Sequence, residues 1–230
     1  MRILMFGTCY VDDAVKLQEI VNWRTLHTAL NPQCDLLLVD SASPLSDCFD
    51  FNNKVLQLGD NIGHLARNGR DGWGRAFCAG LQYAIDRDYD FVVHVEGDSL
   101  LRLPVVPICE HMSRHDLWAF VCGVNGTKFR EFAWVETGVM FLSVPYVRDS
   151  KFIERYDWPD GESKRYPRTP EAVVYHMLVQ DGVLNVAAVR TMRDDRKVLA
   201  VDNAMNYDWI SHATPEVYDT FVARSVPVAA

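Results

Sequence analysis

Glu96 and Asp98 stand either side of Gly97 at the end of the apolar run Phe91-Val92-Val93-His94-Val95, and no other pair in the sequence is better placed to do chemistry. A strand buried on both faces would carry them to its end, and the glycine lets the backbone turn so that both carboxylates face one point. Two carboxylates held that close call for a cation. One or two protein carboxylates, completed by the phosphates of a substrate, suit Mg2+ or Mn2+. Other polar groups follow apolar runs in the same way: Gly7-Thr8-Cys9-Tyr10, Asp40-Ser41 and Asn61-Ile62-Gly63. Taken singly, each is also an ordinary turn. Two further acids could take a proton from a hydroxyl. Glu136 sits in an apolar run beside Thr137-Gly138, where an unpaired carboxylate is costly and a substrate hydroxyl or an internal partner is expected. Glu171 follows Thr169-Pro170 at a helix start, where the helix dipole keeps it ionised.

These residues need a scaffold, and the hydrophobic pattern supplies one. Strands are expected at Arg2 to Phe6, Leu36 to Val39, Lys54 to Leu58, Phe91 to Val95, Leu117 to Cys122, Trp134 to Val144 and Leu184 to Val189. A helix from Asp12 or Asp13 to Leu30 rests on length and the absence of Gly or Pro, and Asn31-Pro32 stops it. The best helix pattern is Trp73, Ala76, Phe77, Gly80, Leu81, Ala84 and Ile85, with Asp71 as its cap. Further helices are expected from Val105 to His115, from Pro145 to Tyr156, and from Thr169 to a stop at Gly182. Asp157 to Arg168 reads as an exposed loop. Alternation of strand and helix at this spacing implies a mostly parallel central sheet with helices on both faces.

At 230 residues, 49% hydrophobic and 23% charged, the chain suits one globular domain with a real core. A net charge of −8 argues against nucleic acid as the main partner. An anionic small substrate is compatible with that charge if a metal and a few arginines reverse the field locally. The six cysteines form no C-x-x-C pair and are expected to be reduced. The amino terminus is too short for a signal segment, and no window approaches a membrane span. The expected location is the cytoplasm, free or peripheral to a membrane surface.

In open parallel sheets ligands bind beyond the carboxyl ends of the strands, where Thr8, Asp40, Asn61, Glu96 and Asp98 would gather. That set resembles the GT-A fold glycosyltransferases that depend on a nucleotide sugar, with Glu96-Gly97-Asp98 standing for their Asp-x-Asp signature. The resemblance runs in order from Met1 to Val189 and implies a GT-A type α/β domain over residues 1–230, with a nucleotide-binding half to residue 123 and an acceptor-binding half after it. It implies a Mn2+ or Mg2+ ion on Glu96, Asp98 and His212, the last in Trp209-Ile210-Ser211-His212. It further implies that Thr8 or Tyr10 and Asp40 meet the nucleotide base, that Asn61, Gly63, Glu96 and Gly97 line the nucleotide sugar, and that Arg67 and Arg75 are rivals for the diphosphate. Thr137 and Gly138 would border the acceptor. Glu171 resembles the base of inverting members, with Glu136 as its rival. The first loop lacks the family's Pro-x-Tyr-Asn form, and Cys78 stands where an asparagine is usual.

The implied activity is transfer of a sugar from a nucleoside diphosphate donor, UDP favoured over GDP, to a glycan or glycolipid, with inversion favoured. The alternatives are a nucleotide- or carbohydrate-binding module without turnover and a sugar-nucleotide nucleotidyltransferase, although Gly7-Thr8-Cys9-Tyr10 lacks the Gly-rich, Arg-containing opening loop of the latter. A dinucleotide fingerprint fails, because Gly72-Trp73-Gly74 reaches Phe77 where the third glycine belongs. Phosphate-loop and nucleophile-elbow patterns are absent.

Overall fold

The computed structural model describes residues 1–45, 54–61, 70–123, 135–156, 170–187, 191–193 and 199–226. In chain order the elements are β1 (Ile3–Cys9), α1 (Ala14–Leu30), β2 (Asp35–Asp40), β3 (Val55–Gln57), α2 (Arg70–Ile85), β4 (Phe91–Val95), β5 (Ser99–Leu101), α3 (Val106–Arg114), β6 (Ala119–Gly123) and β7 (Val135–Ser143). Then come α4 (Val144–Asp149), α5 (Phe152–Tyr156), α6 (Pro170–Gln180), β8 (Val186–Ala187), β9 (Thr191–Arg193), a 3-10 helix (Val201–Asn206), β10 (Trp209–Ser211) and α7 (Pro215–Ser225).

Seven strands form the main sheet in the order β3-β2-β1-β4-β7-β6-β8. Every neighbouring pair is parallel except those made by β7, which runs antiparallel to both β4 and β6. The strands' period of two divides the apolar side chains between the faces. Ile3 and Met5 of β1, with Phe91, Val93 and Val95 of β4, meet Ile20, Trp23 and Leu26 of α1, Cys109 and Met112 of α3, and Val217 and Phe221 of α7. Leu4, Phe6 and Val92 meet Phe77 and Leu81 of α2, residues of α4 and α5, and Val174, Met177 and Leu178 of α6. Helices therefore cover both faces, as the alternation implied.

A second sheet, β5-β10-β9, stands beyond β4 and shares the first core through Leu100, Leu101, Trp209 and Ile210. Neither it nor α7 is among the elements expected from the sequence. Three-residue strands carry too little periodicity to be read, whereas Thr214-Pro215-Glu216 is a helix start of the same kind as Thr169-Pro170-Glu171. The helix expected from Pro145 to Tyr156 is two helices, because Lys151 takes the left-handed φ of 53° between α4 and α5. α2 is described from Arg70 on, so Asp71 lies inside the helix and not at its cap. Gly182 stops α6 with φ 68° as expected. The loop expected from Asp157 to Arg168 lies outside the described residues. No described helix is long and apolar enough to cross a membrane.

α1 shows why its weak pattern still makes a helix. Asp13 caps it by accepting the Lys16 N–H at 2.8 Å. Its buried side is Ile20, Trp23, Leu26 and His27, while Val21 is exposed. Trp23 selects that side, since its indole N–H donates to the Val95 carbonyl at 2.9 Å. His27, one turn on, accepts the Leu101 N–H at Nε2, 3.2 Å away, so that nitrogen carries no proton.

Burial pushes the His27 pKa down to about 3. The unfolded chain takes up this proton near pH 6.5 and the folded chain only near 3, so across that window the unfolded state binds more protons and stability falls as pH falls. Urea unfolding should show His27 removing about 2 kcal/mol between pH 7 and pH 5. His27→Gln, whose amide oxygen can accept the same N–H, should lose that part of the slope; an unchanged slope would place the acid sensitivity elsewhere.

Candidate active site

A cleft of about 650 Å³ opens at the carboxyl ends of β1, β2 and β4, and Thr8, Tyr10, Asn61, Glu96, Gly97, Asp98, Thr137, Glu171 and His212 all line it. The turn at its floor is fixed by backbone bonds. Glu96 N–H donates to the Gly138 carbonyl at 3.0 Å, Gly97 N–H to the Thr8 carbonyl at 3.0 Å, and Ser99 N–H back to the Glu96 carbonyl at 2.9 Å. A Cβ at Gly97 would stand 2.7 Å from Ile20 Cδ1 and 2.9 Å from the Thr8 oxygen, so only glycine fits.

Glu96 turns inward and accepts a short hydrogen bond from the indole N–H of Trp73 on α2. Trp73 is held in turn by stacking on Phe77 at 4.7 Å between ring centres. Burial first, and then the negative charges of Asp98, Glu136 and Glu171, push the Glu96 pKa well above the usual carboxylate range, against the opposing pull of the Trp73 bond. Glu136 lies beneath the cleft, 6% exposed, and accepts the Gly138 N–H at 3.2 Å. The internal partner expected for it in an apolar strand is thus a backbone amide. Glu171 lines the cleft in the first turn of α6.

Asp98 faces the opposite way, toward His212, whose Nε2 lies 3.5 Å from Asp98 Oδ2. His212 follows β10 directly and holds a φ of 55°, uncommon for a residue with a side chain. The pair comes together because β5 and β10 run antiparallel with Ser99 opposite Ser211. Among the described residues no three His, Cys, Asp or Glu side chains form a metal cage by themselves. Asp98 and His212 offer oxygen and nitrogen donors from two elements, which fits an ion whose remaining positions are filled by substrate and water.

Several expected site residues take other places. Asp40 is fully buried and does not line the cleft; its carboxylate accepts the Ser43 N–H at 3.2 and 3.3 Å and a short bond from the Ser43 hydroxyl. It shapes the turn, and Ser41 next to it reaches the cleft instead. Arg75 points away from the cleft to an ion pair with Asp60. Gly138 packs under Trp209, where a Cβ would come within 2.7 Å of the indole. Gly63 and Arg67 lie outside the described residues.

The cleft also holds residues that the sequence did not single out. Lys16 and Glu19 reach it from the first turns of α1, and Trp73 from α2. His94, with no expected role, ties two cleft residues together. Its Nδ1–H donates to the Thr137 carbonyl at 2.9 Å, which leaves Nε2 to accept from the Thr8 hydroxyl at 3.4 Å. Burial keeps the ring neutral by pushing its pKa down to about 3. A lone polar residue in the otherwise apolar, fully buried run of β4 was the signal available.

No protein-family model and no curated protein matches the sequence. Solved structures do match in shape. A glycosyltransferase involved in the glycosylation of the major capsid of PBCV-1 gives a TM-score of 0.58 at 7% identity, over 97% of this chain and 100% of that one. A Bacillus anthracis protein described as a glucose-1-phosphate thymidylyltransferase, solved in complex with a sucrose, gives 0.56 at 11% identity over 100% and 97%. The S. aureus TarS fragment 1-349 matches over 66% of this chain at 14% identity and a TM-score of 0.47, and this chain spans about half of it, 49%. At such identities the likeness concerns architecture. The chain has the GT-A type α/β fold, which glycosyltransferases and nucleotidyltransferases share.

Proposed function

We propose that the chain is a metal-dependent glycosyltransferase that moves a sugar from a nucleoside diphosphate donor, UDP favoured, to a hydroxyl of a glycan or glycolipid, with inversion favoured. The observation that carries this reading is the convergence of Asp98 and His212, 3.5 Å apart, at the strand ends of this fold. The charge of the lining supports it. Glu19, Asp98 and Glu171 face one lysine, Lys16, among the described lining residues, with Glu96 behind them. A diphosphate entering so acidic a cleft needs a cation to offset the repulsion.

Asp98 and His212 would hold Mn2+ or Mg2+. When bound, that ion neutralises charge on the departing diphosphate. Glu96, buried and fixed by Trp73, is the less suited ligand and stands behind the site as a shaping acid. Thr8, Tyr10 and Asn61 border the space for the nucleotide, and Thr137 the space for the acceptor. Glu171 takes the proton as the acceptor oxygen bonds to the anomeric carbon, and the electrons of the breaking bond leave with the nucleoside diphosphate. Glu136 is the weaker candidate because its carboxylate is buried and already accepts the Gly138 amide.

Asp98→Ala should abolish Mn2+-dependent UDP binding in calorimetry and leave the melting temperature nearly unchanged. Unaltered affinity and metal dependence would end this reading.

Glu171→Gln keeps shape but cannot take a proton, so transfer should fall by about 100-fold or more with UDP affinity unchanged. Survival of transfer there, with loss in Glu136→Gln, would move the base to β7. Release of pyrophosphate from a nucleoside triphosphate and a sugar phosphate, without UDP release from UDP-sugars, would identify a nucleotidyltransferase instead.

A further inference from the structure

We infer that Tyr218 of α7 is a positioning residue that sets the spacing of Asp98 and His212 through one hydroxyl shared between the segments that carry them; this rests on the metal-dependent reading above. The hydroxyl donates a short hydrogen bond to the Asp98 carbonyl and accepts the Ala213 N–H at 3.3 Å. These partners are the backbone of one donor residue and the amide directly after the other.

The ladder between β5 and β10 cannot do this work alone. Its last pair is Ser99 with Ser211, so Asp98 and His212 both lie one residue past its end. Backbones released from a ladder diverge unless something spans them. His212 also holds a left-handed φ of 55°, a conformation that is strained for a non-glycine residue and persists only when its surroundings impose it. The bond from Ala213 to Tyr218 fixes the peptide that follows His212.

The ring that presents this hydroxyl does not move freely. Tyr218 is 1% exposed and packed with Val217 and Phe221 in the core shared with α1. On the next residue, Asp219 accepts the Asn22 amide of α1 at 2.9 Å. α1 also supplies Ile20, which closes over Gly97. One rigid helix pair thus bears on both sides of the turn, and the bite offered to the ion follows from where α7 puts its hydroxyl.

The test compares Tyr218→Phe with Tyr146→Phe, which removes another tyrosine hydroxyl's bond, to Asp181, in the core on the other face of the sheet. Mn2+ binding alone is followed by electron paramagnetic resonance, UDP binding by calorimetry across Mn2+ concentrations, and folding by thermal melts. Tyr218→Phe should weaken Mn2+ binding by about 10-fold, a loss of about 1.4 kcal/mol, and excess Mn2+ should restore UDP affinity. Adding Tyr218→Phe to His212→Gln should weaken Mn2+ binding by much less than 10-fold, because the two act through one site. Tyr146→Phe should lower the melting temperature and leave Mn2+ affinity unchanged. If Tyr218→Phe binds Mn2+ like the native protein, or if both variants lose affinity in step with their melting temperatures, the positioning role is wrong while the transferase reading stands. If the native protein binds no Mn2+ with or without UDP, both fall together.

Discussion

Between the ends of β1 and β4 and the start of β7, the chain leaves no space for a side chain. The Gly97 amide reaches the Thr8 carbonyl, the Glu96 amide reaches the Gly138 carbonyl, and a Cβ at either Gly97 or Gly138 would collide with a neighbour. Backbone bonds at this junction set the direction of the turn, and the turn sets where Glu96 and Asp98 point. Glu96 goes under α2 to Trp73, and Asp98 goes out toward His212. The two faces of the sheet hold the junction in place from outside, with Trp23 of α1 bonded to the Val95 carbonyl one residue before it.

The junction gathers negative charge that folding alone does not favour. Burial, Asp98, Glu136 and Glu171 all act against an ionised Glu96. Like charges this close cost stability, and proteins accept such costs mainly where function is built. The indole N–H of Trp73 and the Gly138 amide each relieve one carboxylate, whereas Asp98 is left toward the open side of the cleft. That division separates acids that shape the site from those that face whatever enters it.

The sheet was legible because its strands are apolar runs and its helices carry an apolar spacing, as in α2, or a clear stop, as Gly182 gives α6. β1, β2, β4, α2 and α6 follow from such signals, and so does the gathering of Thr8, Asn61, Glu96 and Asp98 at one edge. What escaped has physical causes. Asp40 at a strand end reads the same whether it meets a ligand or folds back on Ser43, and only its burial separates the two. Arg75 sits on a helix whose apolar side is plain, yet nothing in the spacing says that the side chain turns to Asp60. β5 and β10 are too short to announce themselves, so the pairing that brings His212 to Asp98 was invisible even though both residues had been picked out. Trp73, Lys16 and His94 read as helix or packing residues, and their place in the cleft depends on how α1, α2 and β4 meet.

The Tyr218 hydroxyl and the Asp98 carbonyl that it meets are separated by 120 residues of chain. Contacts of that span form late, because a long loop must close before they return any stabilisation. The parallel pair of β1 with β2, in which Leu4 lies opposite Asp35, is far more local and can organise first. During synthesis, which delivers the chain from its amino end, the strands around Gly97 can assemble while α7 has yet to emerge. The cleft then exists in outline before His212 and Tyr218 complete its far wall, so the spacing of Asp98 and His212 is fixed only once α7 has docked.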